Sequence, residues 1–220
     1  MSSDYGHGSI VRVKAPALTH PQVILASSSP RRHDLLAQLG ISFTVRPANI
    51  EEDRLPDEAP HAYVLRVAKA KAQHLAHQFP AALVLGADTT VVLGRQILGK
   101  PAGVEAARRM LAQLSGRTHT VITGLAVLHS VRQFACVDSV TTRVRFRRLS
   151  EAEIERYVAT EEPFGKAGAY AIQGQAAAFV TALEGCYTNV VGLPLQRTAA
   201  LLQAAGLQVK SPEHSGKSSW

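Results

Sequence analysis

The sequence predicts an α/β fold built on a mixed sheet, and three observations predict it. Short apolar runs alternate with helix-period segments through the first half of the 220 residues. Two longer alternating ribbons then follow one another in the middle, so parallel and antiparallel strands share a sheet. With 46% hydrophobic and 19% charged residues, the chain has enough apolar side chains for a sizeable core.

The elements follow in order. Val23 to Ala26 is a short apolar strand that empties into Ser27-Ser28-Ser29-Pro30. Ser29 then Pro30 is a helix start, a capping hydroxyl before a proline at the first helical position. Leu35, Leu36 and Leu39 give that helix its apolar side and Gly40 stops it. Ile41 to Val45 reads as a strand, Ala62 to Ala76 as an alanine-rich helix, and Leu83 to Leu93 as a buried strand. Val104 to Leu114 is a helix with Met110, Leu111 and Leu114 inward. Val121 to Leu128 and Val137 to Phe146 are strands, the second turning Arg143, Arg145 and Arg147 outward. Ser150 with Glu153 is a capping box for a helix to about Ala159, and a last helix runs from Pro194 to Gly206. Residues 1–20 and 209–220 lack periodicity and read as flexible extensions around one domain, 21–208.

Composition excludes several classes. No apolar run approaches the roughly 18 residues of a membrane span, and the first twenty residues carry no export signal, so a cytoplasmic protein is expected. Cys136 and Cys186 make neither a disulfide framework nor a metal knuckle. The formal charge of +7 suits a polyanion. With only 5% aromatic residues and no basic tract interleaved with them, the expected anion is a small nucleotide rather than a long nucleic acid.

Three positions break the local pattern. Asp88 interrupts the apolar strand, where a carboxylate is costly unless cations or a metal answer it; the plainer reading is a strand-end cap on backbone amides. Lys71 stands on the stripe of Val64, Val67, Ala68 and Leu75, where it either snorkels out or answers a buried anion; Lys69 points elsewhere. In Leu25 to Arg32 a strand gives way to hydroxyls, a helix N-terminus and two arginines, a phosphate-binding combination or simply a capped turn.

Smaller clusters follow. Lys100 stands in the Gly99-Lys100-Pro101 turn shortly after the Asp88 strand. Glu51-Glu52-Asp53 offers oxygen ligands to a divalent ion or is a solvated loop. His119, His74 and His77 read as structural or solvent-facing. Gly165 to Gly174 allows close backbone approach to a ligand, and Gln173 within it offers an amide suited to a base edge. No GxxxxGK[ST] and no GxSxG occurs, which removes a Walker-type loop and a serine-hydrolase elbow.

Taken together these segments resemble the Maf family of nucleoside triphosphate pyrophosphatases. The matching pieces are LASSSPRR (Leu25 to Arg32), IEE (Ile50 to Glu52), VAKAKA (Val67 to Ala72), LGADTTVV (Leu85 to Val92) and GKP (Gly99 to Pro101). LSGRTHTVITG (Leu114 to Gly124), EPFGKAGAYAIQG (Glu162 to Gly174) and VVGLPL (Val190 to Leu195) complete them, and the likeness runs from about Val23 to Leu207. Ser28, where some relatives carry Gly, and Gly165, where others carry a polar residue, are mild departures.

The resemblance implies hydrolysis of a nucleoside triphosphate between its α- and β-phosphates, giving the monophosphate and pyrophosphate, with Mg²⁺ or Mn²⁺ as cofactor. It implies Asp88 as proton acceptor, with Lys71, Lys100 and Glu52 as catalytic companions. Ser27, Arg32 and Lys166 are implied substrate contacts, Glu52 and Asp88 metal ligands, and Arg31, Thr89 and Gln173 specificity determinants. Thr89 after Gly-Ala-Asp and Gln173 in Ile-Gln-Gly match the branch acting on dTTP and UTP rather than on 7-methyl-GTP. The implied fold is an elongated mixed sheet flanked by helices, with two lobes around a central groove, similar to inosine triphosphate pyrophosphatases and often a homodimer. Whether Asp88 serves as base or as metal ligand stays open at this point.

Overall fold

The computed structural model describes residues 22–209. The extensions expected at 1–20 and 209–220 lie outside the described residues, apart from Val209, which is buried and accepts a hydrogen bond from Gln203.

The chain opens with β1 (Val23–Ala26), α1 (Pro30–Ala37), β2 (Thr44–Val45), α2 (Pro60–Gln78), β3 (Leu83–Leu93) and β4 (Gln96–Leu98). It continues with α3 (Val104–Leu114), β5 (Thr118–His129), β6 (Phe134–Phe146) and α4 (Glu151–Val158). Two 3₁₀ turns, Ala167–Ala169 and Gln175–Phe179, precede β7 (Val180–Glu184), α5 (Tyr187–Val191) and α6 (Leu195–Ala204). The strands form one seven-stranded sheet in the order β2-β1-β3-β5-β6-β7, with β4 paired to β3. β1 is parallel to β2 and β3, and the other pairs are antiparallel, so the mixed sheet flanked by helices is as expected.

β3 and α3 have the expected bounds, because period-2 and period-3.6 apolar patterns are strongest where one element is buried from end to end. Both expected caps form. The Ser29 hydroxyl accepts from the Arg32 N–H, and Ser150 with Glu153 closes a capping box. The strand expected over 41–45 shortens to Thr44–Val45, both exposed, since an edge segment with no buried face has little to hold it in register. β4, β7 and α5 were not expected; each is five residues or fewer and depends on long-range partners.

Two apolar layers enclose the sheet. One face packs Leu36, Leu85, Leu111, Leu125, Phe146 and Leu202 under α1, α3, α4 and α6. On the other face α2 lies flush, with Ala68, Ala72 and Leu75 against Ile24, Val84 and Ala126. Two glycines permit that approach. A Cβ on Gly86 would come within 2.2 Å of the Ala68 carbonyl oxygen, and one on Gly124 within 2.3 Å of that of Val64. The close helix–sheet contact is what carries Lys71 down to strand β3.

Candidate active site

The site begins as a gap in the sheet. β1 pairs with β3 only as far as Ala26 opposite Gly86, and β4 joins the same side only from Leu98 opposite Val91. Between Ala87 and Thr90 β3 has no strand neighbour on that side. Side chains from both sheet faces therefore converge on one opening, at the carboxyl end of a parallel strand, a recurrent ligand position in α/β sheets. A cavity of about 600 Å³ lies there, and every site residue expected from the sequence lines it: Ser27, Arg31, Arg32, Glu52, Lys71, Asp88, Thr89, Lys100, Lys166 and Gln173.

Alternation along β3 sends Asp88 to the α2 face, where Lys71 arrives from the helix stripe. Lys71 and Asp88 are each only 6% exposed. The Lys71 ammonium donates to Asp88 Oδ1 at 2.8 Å and lies 2.8 Å from Glu52 Oε1. The strand-end cap and the snorkelling lysine, the plainer readings of these residues, thus give way to a buried ion cluster. Burial pulls the Glu52 carboxyl up, but the hydrogen bond from Lys71 and the charges of Lys71, Lys100 and Arg32 outweigh it and hold it below the ordinary range. Glu51 and Asp53, the neighbours of Glu52, are exposed. Removing charges from water is costly, so a buried Lys71–Asp88 pair joined by a partly exposed Glu52 marks a site more often than a stability device.

Arg32 comes from the first turn of α1. It donates from Nε to the Gly192 carbonyl at 2.9 Å, from Nη1 to Ser27 Oγ at 3.3 Å and from Nη2 to Thr89 Oγ1 at 3.0 Å. Burial lowers its pKa, against the opposing charges of Asp88 and Glu52. Thr89 extends inward: its hydroxyl meets Thr123 Oγ1 at 2.9 Å, and Thr123 donates to the Asn189 carbonyl at 3.1 Å. Because Thr123 spends its proton on that carbonyl, Thr89 spends its own on Thr123 and accepts from Arg32. The hydroxyl of Thr89 is committed to orienting Arg32.

The opposite wall is the segment after α4. Lys166 turns its ammonium back to its own loop, to the Glu162 carbonyl at 2.5 Å and the Phe164 carbonyl at 3.4 Å. Gln173 is exposed in the cavity wall. The Gly168 N–H donates to the Gly99 carbonyl at 3.1 Å, which joins this segment to the turn bearing the exposed Lys100. Burial lowers the Arg31 pKa, with Tyr157 acting in the other direction.

Sequence reasoning missed Tyr63, Thr123, Asn189, Glu162 and Tyr157. Tyr63 lines the cavity, and burial followed by the charges of Asp88 and Glu52 pushes its phenol up to about 12. Its position eight residues before Lys71 on the same helix stripe was the available signal. Thr123 is paired in register with Thr89, information no linear pattern carries. His119 is buried with its Nε2 2.8 Å from the Tyr170 hydroxyl, and burial drops its pKa to about 4, so it is neutral and structural, as read. His74 and His77 are exposed. Among the described residues no group of three or more His, Cys, Asp or Glu gathers, and no helix is long and apolar enough to cross a membrane.

The chain is similar in sequence to known proteins. The family model described as "Maf-like protein" matches residues 22–205. A dTTP/UTP pyrophosphatase of Pelotomaculum thermopropionicum is 53% identical over 188 residues, covering 86% of this chain and 98% of that protein. One of Anaeromyxobacter dehalogenans strain 2CP-C is 53% identical, covering 84% and 95%. Among solved structures, a nucleoside-triphosphatase described as a dITP/XTP pyrophosphatase of Mycobacterium abscessus aligns with a TM-score of 0.41 and 14% identity over 58% of this chain and 75% of that one. With the family model spanning the whole sheet and every wall of the cavity, the chain belongs to the Maf-like protein family.

Proposed function

We propose that the protein hydrolyses dTTP and UTP to the monophosphate and pyrophosphate, as a house-cleaning enzyme of the cytoplasmic nucleotide pool. The observation that carries the chemistry is the Glu52–Lys71–Asp88 cluster beside a clamped Arg32 in one cavity. The base preference is supported by the relatives named dTTP/UTP pyrophosphatase, more than half identical to this chain. A homodimer is expected from the resemblance alone.

In this reading the triphosphate lies along the β3 gap. Arg32 uses three of its five N–H donors on the protein, which leaves a rigid pair for phosphate oxygens. Ser27 Oγ accepts from Arg32 and from the Ser29 N–H, so its own proton is free for a further phosphate oxygen. The exposed ammonium of Lys100 meets the outer phosphates. Asp88, oriented by Lys71, takes a proton from the water that attacks the α-phosphorus, and the bridging oxygen leaves with pyrophosphate. Positioning and charge neutralisation supply most of such catalysis, which explains the absence of a nucleophile triad.

The residues fit a divalent cation. Asp88 Oδ2 and Glu52 Oε2 take no hydrogen bond from the described residues, and Mg²⁺ is commonly held by one or two carboxylates plus substrate phosphates. Glu52 and the substrate phosphates would hold Mg²⁺ or Mn²⁺, which would supply charge neutralisation there while Asp88 Oδ2 serves the water. Gln173 and Arg31 stand at the base end, whereas Thr89 aims Arg32 at the phosphates.

The test is a panel of dTTP, UTP, dCTP, dGTP and 7-methyl-GTP with Mg²⁺ or Mn²⁺ and product identification. Fastest consumption of dTTP and UTP to monophosphate plus pyrophosphate is expected. Release of orthophosphate, or a preference for 7-methyl-GTP, would overturn the proposal.

A further inference from the structure

We propose that Glu162 is a positioning residue for base selection: its carboxylate, together with the Tyr157 hydroxyl, ties the start of the segment 162–175 to Ala171 and Gln175 and so fixes where Gln173 stands. The inference rests on the reading that this segment meets the base. Glu162 ends the chain's approach to the cavity, and both of its carboxylate oxygens are spoken for. Oε1 accepts from the Tyr157 hydroxyl at 2.8 Å, and Oε2 accepts from the Gln175 N–H at 3.1 Å. The same Tyr157 oxygen accepts from the Ala171 N–H at 3.1 Å, so the middle of the segment hangs from the same hub. The Glu162 main-chain oxygen takes the Lys166 ammonium. The Glu162 carboxylate and the Tyr157 hydroxyl thereby hold the middle and last parts of the wall together.

An independent feature agrees. A Cβ on Gly174 would stand 2.3 Å from each carboxylate oxygen of Glu162, so a side chain after Gln173 would displace the carboxylate from its present place. Among the described residues no lysine or arginine side chain forms a salt bridge with Glu162; its carboxylate is answered by a phenol and a main-chain N–H. Burial, opposed by the Ala171 N–H and reinforced by Glu162, pushes the Tyr157 phenol up, so it remains a donor. A carboxylate is the one common side chain that accepts on both oxygens at once. An amide cannot do so: with its oxygen toward Gln175 its NH₂ faces the Tyr157 proton, and flipped, its NH₂ faces the Gln175 N–H.

The experiment compares Glu162→Gln, Tyr157→Phe, Gln173→Ala and the Glu162→Gln/Gln173→Ala double variant, each checked for folding by thermal unfolding. Steady-state kcat/KM for dTTP and dGTP gives a discrimination ratio, and inhibition by pyrophosphate reports the phosphate end. Glu162→Gln is expected to lower the dTTP-over-dGTP ratio about tenfold while pyrophosphate inhibition stays within about twofold. Tyr157→Phe moves the ratio the same way and carries the test should Glu162→Gln not fold. The double variant loses no more discrimination than the more affected single variant. An unchanged ratio in Glu162→Gln and Tyr157→Phe, with Gln173→Ala lowering it, would overturn the role of Glu162 and leave base reading by the segment intact. No change in any variant would remove base reading and the inference with it. Equal losses on every nucleotide, or additive losses in the double variant, would reduce Glu162 to a structural support and overturn the inference.

Discussion

The two ends of the cavity are built differently. At the proposed phosphate end, regular elements deliver most of the charges: α1 brings Arg32, tied to Ser27, Thr89 and Gly192, while α2 brings Lys71 and β3 brings Asp88, paired with each other at 6% exposure. At the other end, residues 162–175 form turns held by an uncharged phenol and a main-chain N–H donating to one half-buried carboxylate, with Ala169 in the left-handed region at φ 57°. The difference teaches where rigidity is spent. In the proposed reading, Arg32, Lys71 and Asp88, which serve every triphosphate, sit on elements the core already fixes, with Glu52 and Lys100 added from loops. In the same reading, the part that would suit a particular base sits on a segment outside the regular elements.

The strongest attempt to break this contrast is Lys71→Met. It leaves the Asp88 and Glu52 carboxylates facing each other without their cation, a change of the class that costs about 3–5 kcal/mol. Urea unfolding is expected to show that loss, with turnover gone on every nucleotide alike. A stable, active Lys71→Met variant would make the cluster ornamental and dissolve the contrast.

A second prediction sets the floor of the turn-built end apart by pH. His119 supports Tyr170 beneath that segment and has a folded pKa of about 4 against 6.5 unfolded. Below pH 6.5 the unfolded chain takes up a proton that the folded chain refuses, so the His119 contribution is complete above 6.5 and declines as pH falls toward 4. By pH 5 the decline amounts to about 2 kcal/mol. Unfolding free energies of the wild type and His119→Gln, compared between pH 7 and 5, are expected to converge by that amount, and parallel curves would place His119 elsewhere. Glu52 has the same sign at lower pH: its folded pKa is depressed, so its contribution is present above the ordinary carboxylate range and is lost as pH falls through the folded value.

The smallest effect sharpens the comparison at the boundary between the two ends. Thr89→Val keeps the strand side chain branched but removes the acceptor for Arg32 and the donor to Thr123. One such hydrogen bond is worth about 1 kcal/mol, or roughly fivefold in kcat/KM. Equal losses on dTTP, UTP and dGTP are expected if Thr89 works by aiming Arg32. A loss confined to pyrimidines would give the Thr89 hydroxyl a direct contact with the base.

The same contrast explains what could be read from the sequence. Asp88 and Lys71 were legible because each violates an apolar pattern, and a violation of period 2 or 3.6 is visible along the chain. β3 and α3 were legible for the same reason. Thr123 was not, since a threonine in a strand violates nothing and its partner Thr89 lies 34 positions earlier. Glu162, Tyr157 and the 3₁₀ turns were silent because their geometry depends on hydrogen bonds across a non-periodic segment. β7 escaped because a short, largely exposed edge strand owes its form to pairing with β6. The resemblance located the segment 162–174, but the hub that shapes it became visible only in three dimensions.

The claim on which the rest stands is that Asp88 takes the proton of the attacking water. Turnover of dTTP by Asp88→Asn, measured beside its unfolding temperature, tests it most directly. The expected result is a fall in kcat of about 10³-fold in a variant that still unfolds cooperatively within a few degrees of the wild type. Turnover at the wild-type rate in that folded variant would contradict it.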